Sequence, residues 1–286
     1  MRGFLLMLPP VGGPESYRIR QSSLSGEHYT QYLNDRREFL HAVDLVRAEI
    51  QNLLAEAAVS RSGQASRRET LQRMLEALSI SPEGINVCVC SFSEESDSLS
   101  QWRAYGGSSG FALGFSGEVL EAATQRLNWH LAPCIYEPDE QRALVRALVE
   151  EMVEENLSGE PLGADPEEDD FLKRLGGNLR ADLNKYALIL KDRSFKEERE
   201  WRIISRPVFC KRLDYREGRS LLVPYYKLPL CEGDQKLRLH EIVVGPTRDA
   251  ERSKSSVTSL LVSRRVVMQG IAGTNVRMSQ VPYRDW

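Results

Sequence analysis

The chain has 286 residues, 41% hydrophobic and 28% charged, with a formal net charge of −3. That balance describes an ordinary globular protein with enough apolar residues for a sizeable core, and it excludes an intrinsically disordered chain. Nothing in the net charge signals nucleic acid or an anionic membrane as a partner.

The chain opens with MRGFLLMLPPVGGPE. Its apolar run is too short for a transmembrane helix and lacks a signal-peptide cleavage pattern. Residues 1–16 are therefore expected to be a loose N-terminal segment. Tyr17–Ser22 (YRIRQS) reads as a short strand. Asn34–Ala57 shows helical spacing, with Phe39, Val43, Val46, Ile50 and Leu53 on one side and Asn34 or Asp35 as cap. Arg67–Leu78 reads as a second helix, stopped by Ser81-Pro82-Glu83-Gly84. Ile85–Ser93 alternates as a strand, and Gly110–Phe115 (GFALGF) reads as its partner. A short helix follows at Val119–Arg126, then a strand at Trp129–Tyr136.

Asp139–Asn156 has Leu144, Leu148 and Met152 at four-residue spacing, a helical pattern, and Phe171–Leu190 repeats it after an acidic Gly/Pro-containing loop. The last third is strand-rich, at Trp201–Phe209, Leu221–Tyr226, His240–Val244, Val266–Gln269 and Asn275–Ser279, with a helix at Asp249–Ser263. The pattern gives one α+β domain over residues 17–286 with a split, mostly antiparallel sheet, and a helical insertion at about 139–190.

Five cysteines, with one Cys88-x-Cys90 pair, give neither a disulfide framework nor a zinc pattern, and reduced thiols fit a cytoplasmic protein. The histidines (His28, His41, His130, His240) show no metal spacing and no triad order, so no metal site is expected. Charge is uneven: residues 139–170 hold twelve acids and two bases, whereas residues 191–219 hold ten bases and six acids. Such runs ordinarily form solvated faces; the functional alternative is a basic segment facing an anionic ligand such as a dinucleotide.

Two distant segments carry candidate chemistry, Cys90–Gly106 (CSFSEESDSLSQWRAYG) and Lys191–Ile204 (KDRSFKEEREWRII). In the first, Ser91 and Ser93 share a strand face. In the second, Glu198-x-Glu200 sits where a loop enters an apolar strand. The S-x-S and E-x-E pair resembles the residue set of mono-ADP-ribosyltransferases. That resemblance implies an NAD-binding cleft if the segments meet. Glu200 would stabilise an oxocarbenium-like ion, Glu198 would orient or deprotonate the acceptor, and Ser91 and Ser93 would position the ribose. Trp102 and Tyr105 would stack on the rings. Arg18 or Arg20, from an early strand, would bind phosphate, with Arg202 beside them.

Each motif also has a plain structural reading: a serine-rich strand exit, a salt-bridge ladder of Glu197, Glu198, Arg199, Glu200 and Arg202, and a core anchor at Trp102.

Several blocks in order resemble the bacterial family catalogued as domain of unknown function 2971. They are Tyr32–Asp35 with Glu38-Phe39, the S-F-S-E…W-x-x-Y…G-F-x-L-G-F block, K-x-x-x-F-x-x-E-x-E-W-R, Val223-Pro224-Tyr225, Ile242–Pro246 and Ser279-x-Val281-Pro282-Tyr283-Arg284. The resemblance spans roughly residues 30–284 and implies a toxin or defence effector, with no activity attached to the family. The tyrosine/threonine-bearing first strand of related sequences is replaced here by MRGFLLMLPPVGGPESYRIR.

The expected function is therefore ADP-ribose transfer from NAD to a macromolecular acceptor, with NAD as substrate, or NAD hydrolysis. One alternative is a non-enzymatic protein-interaction module in which the same residues form a polar brace. Another is a nuclease-like effector with Asp97, Glu198 and Glu200 around Mg²⁺. Accessibility separates the first two: a Glu200 buried in an Arg202 ion pair, with no adjacent pocket, argues against transfer.

Overall fold

A computed structural model describes residues 3–8, 23–29, 36–59, 65–78, 87–106, 110–158, 186–217, 222–231, 239–263 and 275–282. The fold is α+β, and the chain divides into two compact units. One comprises residues 1–32, 86–133 and 196–286; the other comprises 33–85 and 134–195.

The first unit is built on a ten-stranded sheet among the described residues. Its strands are β1 (Gly3–Leu8), β2 (Ser23–Tyr29), β3 (Cys88–Ser93), β4 (Phe111–Ser116), β5 (His130–Pro133), β6 (Glu200–Ile204), β7 (Asp214–Glu217), β8 (Leu222–Pro229), β9 (Glu241–Val244) and β10 (Asn275–Met278). Among these ten described strands, β9 and β10 pair in parallel and the other pairings are antiparallel.

Strand β3 is where the sheet splits. One of its edges pairs with β6 over Val89–Ser93. The other edge is shared, with β2 at Cys88 and Val89 and β1 at Ser93. From β1 the sheet runs through β4 and β9 to β10, and from β2 through β8 to β7.

The core forms where apolar faces of β3, β4, β6, β8 and β9 meet two helices, α3 (Gly117–Leu127) and α5 (Ala250–Ser263). It contains Cys90, Phe92, Leu113, Phe115, Leu120, Ala123, Ile203, Leu228, Ile242 and Leu261. Phe92 meets Phe115 edge to face, with ring centroids 6.1 Å apart, the geometry favoured by the ring quadrupoles. Helix α3 ends at Asn128, whose left-handed backbone (φ 55°) lets Trp129 N–H reach the Thr124 carbonyl at 2.8 Å. Asparagine is one of the few residues that enters this conformation readily.

The second unit is helical. Its helices are α1 (Arg36–Val59), α2 (Ala65–Ala77) and α4 (Pro138–Ser158). They bury Val46, Ile50, Leu53, Leu71, Met74, Val145, Val149, Met152 and Val153 together with Ala187 and Leu190. Pro138 at the first turn, followed by Asp139 and Glu140, suits a helix start, because the missing N–H is not needed there and acids favour the positive end of the dipole. The sequence-based insertion at 139–190 is thus half of this unit; the segment that also holds α1 and α2 supplies the other half.

Three expectations differ from the structure. The N-terminal run, read as loose, forms β1, which pairs with β4 from Gly3↔Ser116 to Leu8↔Phe111. A continuous apolar hexapeptide has no period-2 signal, yet it is what an interior strand looks like. Strands β2 and β7 carry too many polar residues to announce themselves. The strand expected at Trp201–Phe209 stops at Ile204, ahead of Pro207. The strands expected at Tyr17–Ser22 and Val266–Gln269, and most of the helix expected at Phe171–Leu190, lie outside the described residues. No described helix is long and apolar enough to cross a membrane.

Candidate functional site

The two distant segments meet. In the β3–β6 ladder Ser91 lies opposite Arg202, Phe92 opposite Trp201, and Ser93 opposite Glu200. Residues directly opposite one another share a face, so Ser91, Ser93, Glu200 and Arg202 project to one side. Ser91 is exposed and Ser93 buried. The Ser93 hydroxyl donates to the Glu198 carbonyl at 2.7 Å and accepts the Glu95 N–H at 3.0 Å. It therefore pins the entry of β6 to the exit of β3.

Glu200 is 7% exposed. Arg202, also buried, donates Nε to Oε1 at 2.8 Å and Nη2 to Oε2 at 3.2 Å, a two-pronged pair along one strand. Glu198 does not continue the alternation. It ends a 3-10 stretch (Arg193–Glu198), and Arg199 then takes a left-handed backbone with φ 44°. That conformation is unfavourable for a side chain without local hydrogen-bonding capacity, and it is held by its surroundings. The Arg199 carbonyl accepts the Glu94 N–H at 3.2 Å. Its guanidinium reaches Glu95 at 2.5 Å and Glu94 at 2.7 Å, and these carboxylates push its pKa up, Glu95 most. Trp201 donates its indole N–H to Glu94 at 2.9 Å.

Trp102 is 1% exposed. It opens a π-helical turn (Trp102–Gly106) that continues the short helix Leu99–Gln101. Its ring lies against Gly106 and Gly245, where a Cβ would come within 2.8 Å and 2.7 Å of ring carbons. The stacking role expected for Trp102 is corrected to a core anchor: a ring enclosed on these sides has no open face for a ligand. Tyr105, on the same turn, is exposed. Arg18 and Arg20 lie outside the described residues. The first strand, Gly3–Leu8, brings Leu5 opposite Ser93 and carries no polar side chain.

Sequence reasoning missed the role of Asp97. Its carboxylate accepts the Trp102 indole N–H at 2.7 Å, the Gln280 N–H at 2.6 Å and the Ser279 hydroxyl, with Arg277 3.6 Å away. Arg277 also reaches Glu241 at 2.9 Å and Ser96 at 2.8 Å. Apart from Trp102, the partners of this acid (Arg277, Ser279 and Gln280) come from the far end of the chain, and such pairings leave no local trace in a sequence. With Asp97 so engaged, and with no group of three or more Asp, Glu, His or Cys side chains placed to hold a metal ion among the described residues, Asp97, Glu198 and Glu200 do not form the centre that the nuclease-like alternative needs.

In the helical unit, Arg146 gathers three glutamates: Glu49 at 3.2 Å, Glu56 at 2.7 Å and Glu150 at 3.2 Å. The cluster borders an open cavity of about 450 Å³ lined also by Asn52, Ala55, Arg142 and Ala143. The Arg146 hydrogen bond holds the Glu56 carboxyl below its ordinary pKa.

A family model described as "Protein of unknown function (DUF2971)" matches residues 101–203. The chain resembles DUF2971 over that span. The DUF2971-like span begins at the Trp102 turn and ends inside β6, so it includes Glu198, Glu200 and Arg202 but not Ser91 and Ser93. No curated protein and no solved structure matches.

Proposed function

We propose that the chain works as a non-catalytic protein-interaction module, in which the S-x-S and E-x-E residues brace the split sheet. One observation carries this reading: Glu200 is buried and its two oxygens are taken by Arg202. A carboxylate that stabilises an oxocarbenium ion must present uncompensated negative charge to the ligand. Glu200 presents a charge cancelled by its neighbour. The companions of the pair are likewise engaged within the protein: Ser93 on the backbone, Trp102 in the core, and the exposed Arg199 on Glu94 and Glu95.

A second reading, cleavage of NAD with transfer of ADP-ribose, is favoured by the β3–β6 register, which brings the two motifs together with Ser93 opposite Glu200. The test is nicotinamide release from NAD⁺ by the pure protein, with and without cell lysate as a source of acceptor. Glu200→Gln serves as control, with Glu198→Gln as a second variant because Glu198 is only half-buried. The module reading expects release no greater than that of the variants. Release that disappears in either folded variant would overturn it.

A further inference from the structure

The outer strand β7 (Asp214–Glu217) ends one branch of the sheet and pairs with β8 alone among the described residues. All four of its residues are exposed. An exposed edge strand of this kind is a template for another strand. Three apolar side chains near it are also open to solvent: Phe209 at 79%, Tyr215 at 53% and Leu222 at 61%.

The direction of the free backbone groups follows from one residue of β8. Tyr215 lies opposite Pro224, Asp214 opposite Tyr225, and Arg216 opposite Val223. Antiparallel pairs alternate between hydrogen-bonded and non-hydrogen-bonded, and Pro224 has no N–H to give. The hydrogen-bonded pairs are therefore Asp214/Tyr225 and Arg216/Val223. Tyr215 is a non-hydrogen-bonded position toward β8, so its N–H and C=O point to the open edge.

We propose that β7 is a self-association edge, pairing antiparallel with β7 of a second copy across a two-fold axis through Tyr215. Charge complementarity and backbone polarity together select this partner and this register. Outward-pointing residues must pair with outward-pointing residues, so the register can move only in steps of two. With Tyr215 opposite Tyr215, both Tyr215 backbones exchange N–H···O bonds, and Asp214 lies opposite Arg216 twice. A shift one way places Asp214 against Asp214; a shift the other way places Arg216 against Arg216. Like charges directly opposite are destabilising, and opposite charges at the closer, non-hydrogen-bonded positions are favourable. Within its own protomer Asp214 already accepts Lys227 at 2.6 Å; at about half exposure that carboxylate stays open to a second cation.

Such a contact is isologous, as two-fold dimers require. A four-residue strand pair buries much less than the roughly 1,600 Å² of a standard interface, so the dimer belongs with the weak, transient contacts. The proposal stands independently of whether the β3–β6 site turns over NAD.

Sedimentation of the full chain from micromolar to near-millimolar concentration tests it. Wild type is expected to shift reversibly from monomer to dimer. Arg216→Asp, which sets acids opposite one another twice, weakens association by about tenfold or more. Tyr215→Pro removes an N–H that β8 does not use, and abolishes association without unfolding; circular dichroism verifies the fold of each variant. Asp214→Lys alone also remains monomeric, and an equimolar mixture with Arg216→Asp forms a heterodimer, because the mixed pair restores both opposite-charge contacts. A wild type that stays monomeric throughout, or one whose association is untouched by Arg216→Asp and Tyr215→Pro, overturns the proposal.

Discussion

Glu200 illustrates how one ion pair constrains an assignment. A buried carboxylate and guanidinium stabilise a fold little in net terms, because desolvation offsets their attraction, but removing one partner strands the other charge. Glu200→Gln is therefore expected to destabilise the sheet unit by about 3 kcal/mol. Replacing both partners with apolar residues, Glu200→Leu with Arg202→Met, should bring stability back to within about 1 kcal/mol of wild type. Urea unfolding followed by tryptophan fluorescence reads this out, since Trp102, Trp129 and Trp201 all belong to the sheet unit. An equal loss in single and double variants would show that Arg202 is not the group that Glu200 serves. The same measurement guards the NAD⁺ assay against mistaking an unfolded Glu200→Gln for a catalytically dead one.

At the scale of elements, what the sequence disclosed depended on whether periodicity survived burial. The helices were legible because an apolar stripe with polar flanks is a strong signal: Leu144, Leu148 and Met152 mark α4, and the expected and observed spans agree within two residues at each end. Strand β3 was legible as well, since Gly84 precedes it and its chemistry stands out. Strand β1 was not, because an all-apolar hexapeptide reads equally as a signal fragment, a tail or an interior strand. The local geometry of the E-x-E motif was hidden for a different reason. Alternation would put Glu198 and Glu200 on one face, but the left-handed Arg199 breaks the strand between them, and that conformation is set by Glu94 and Glu95, a hundred residues away.

The helical unit supplies a pH prediction at this scale. Glu56 is held below its ordinary pKa by Arg146. Its stabilising contribution is fully present above the unfolded carboxylate value of about 4.3 and disappears as pH falls through the lower folded value. Glu56→Gln should therefore lower helical thermal stability near neutral pH and flatten its decline on the acid side of about pH 4.3. Circular dichroism melts across that range check it; parallel curves for wild type and variant would remove Glu56 from the account.

Across the whole molecule the cysteines separate by depth. Cys88, Cys90 and Cys134 are buried, Cys231 is half-buried, and Cys210 is exposed. Burial also pushes the Cys231 thiol pKa up, against a smaller opposing effect of Arg126, which keeps it in the unreactive thiol form. One fast-reacting thiol per native chain is expected with a disulfide-exchange reagent, and Cys210→Ser should remove it. Two fast thiols would place Cys231 in a more open setting than the structure gives it.

The branching of the sheet at β3 has a consequence for synthesis. Its partner β6 follows it by roughly a hundred residues, so at 5–20 residues per second a ribosome exposes the β3 edge for roughly 5–20 s before that partner exists. Meanwhile β1 and β2, made earlier, can occupy only the opposite edge. A nascent chain of this protein therefore carries an unfinished strand through a third of its translation, and its yield should respond to chaperone supply and to elongation speed more than its final stability suggests.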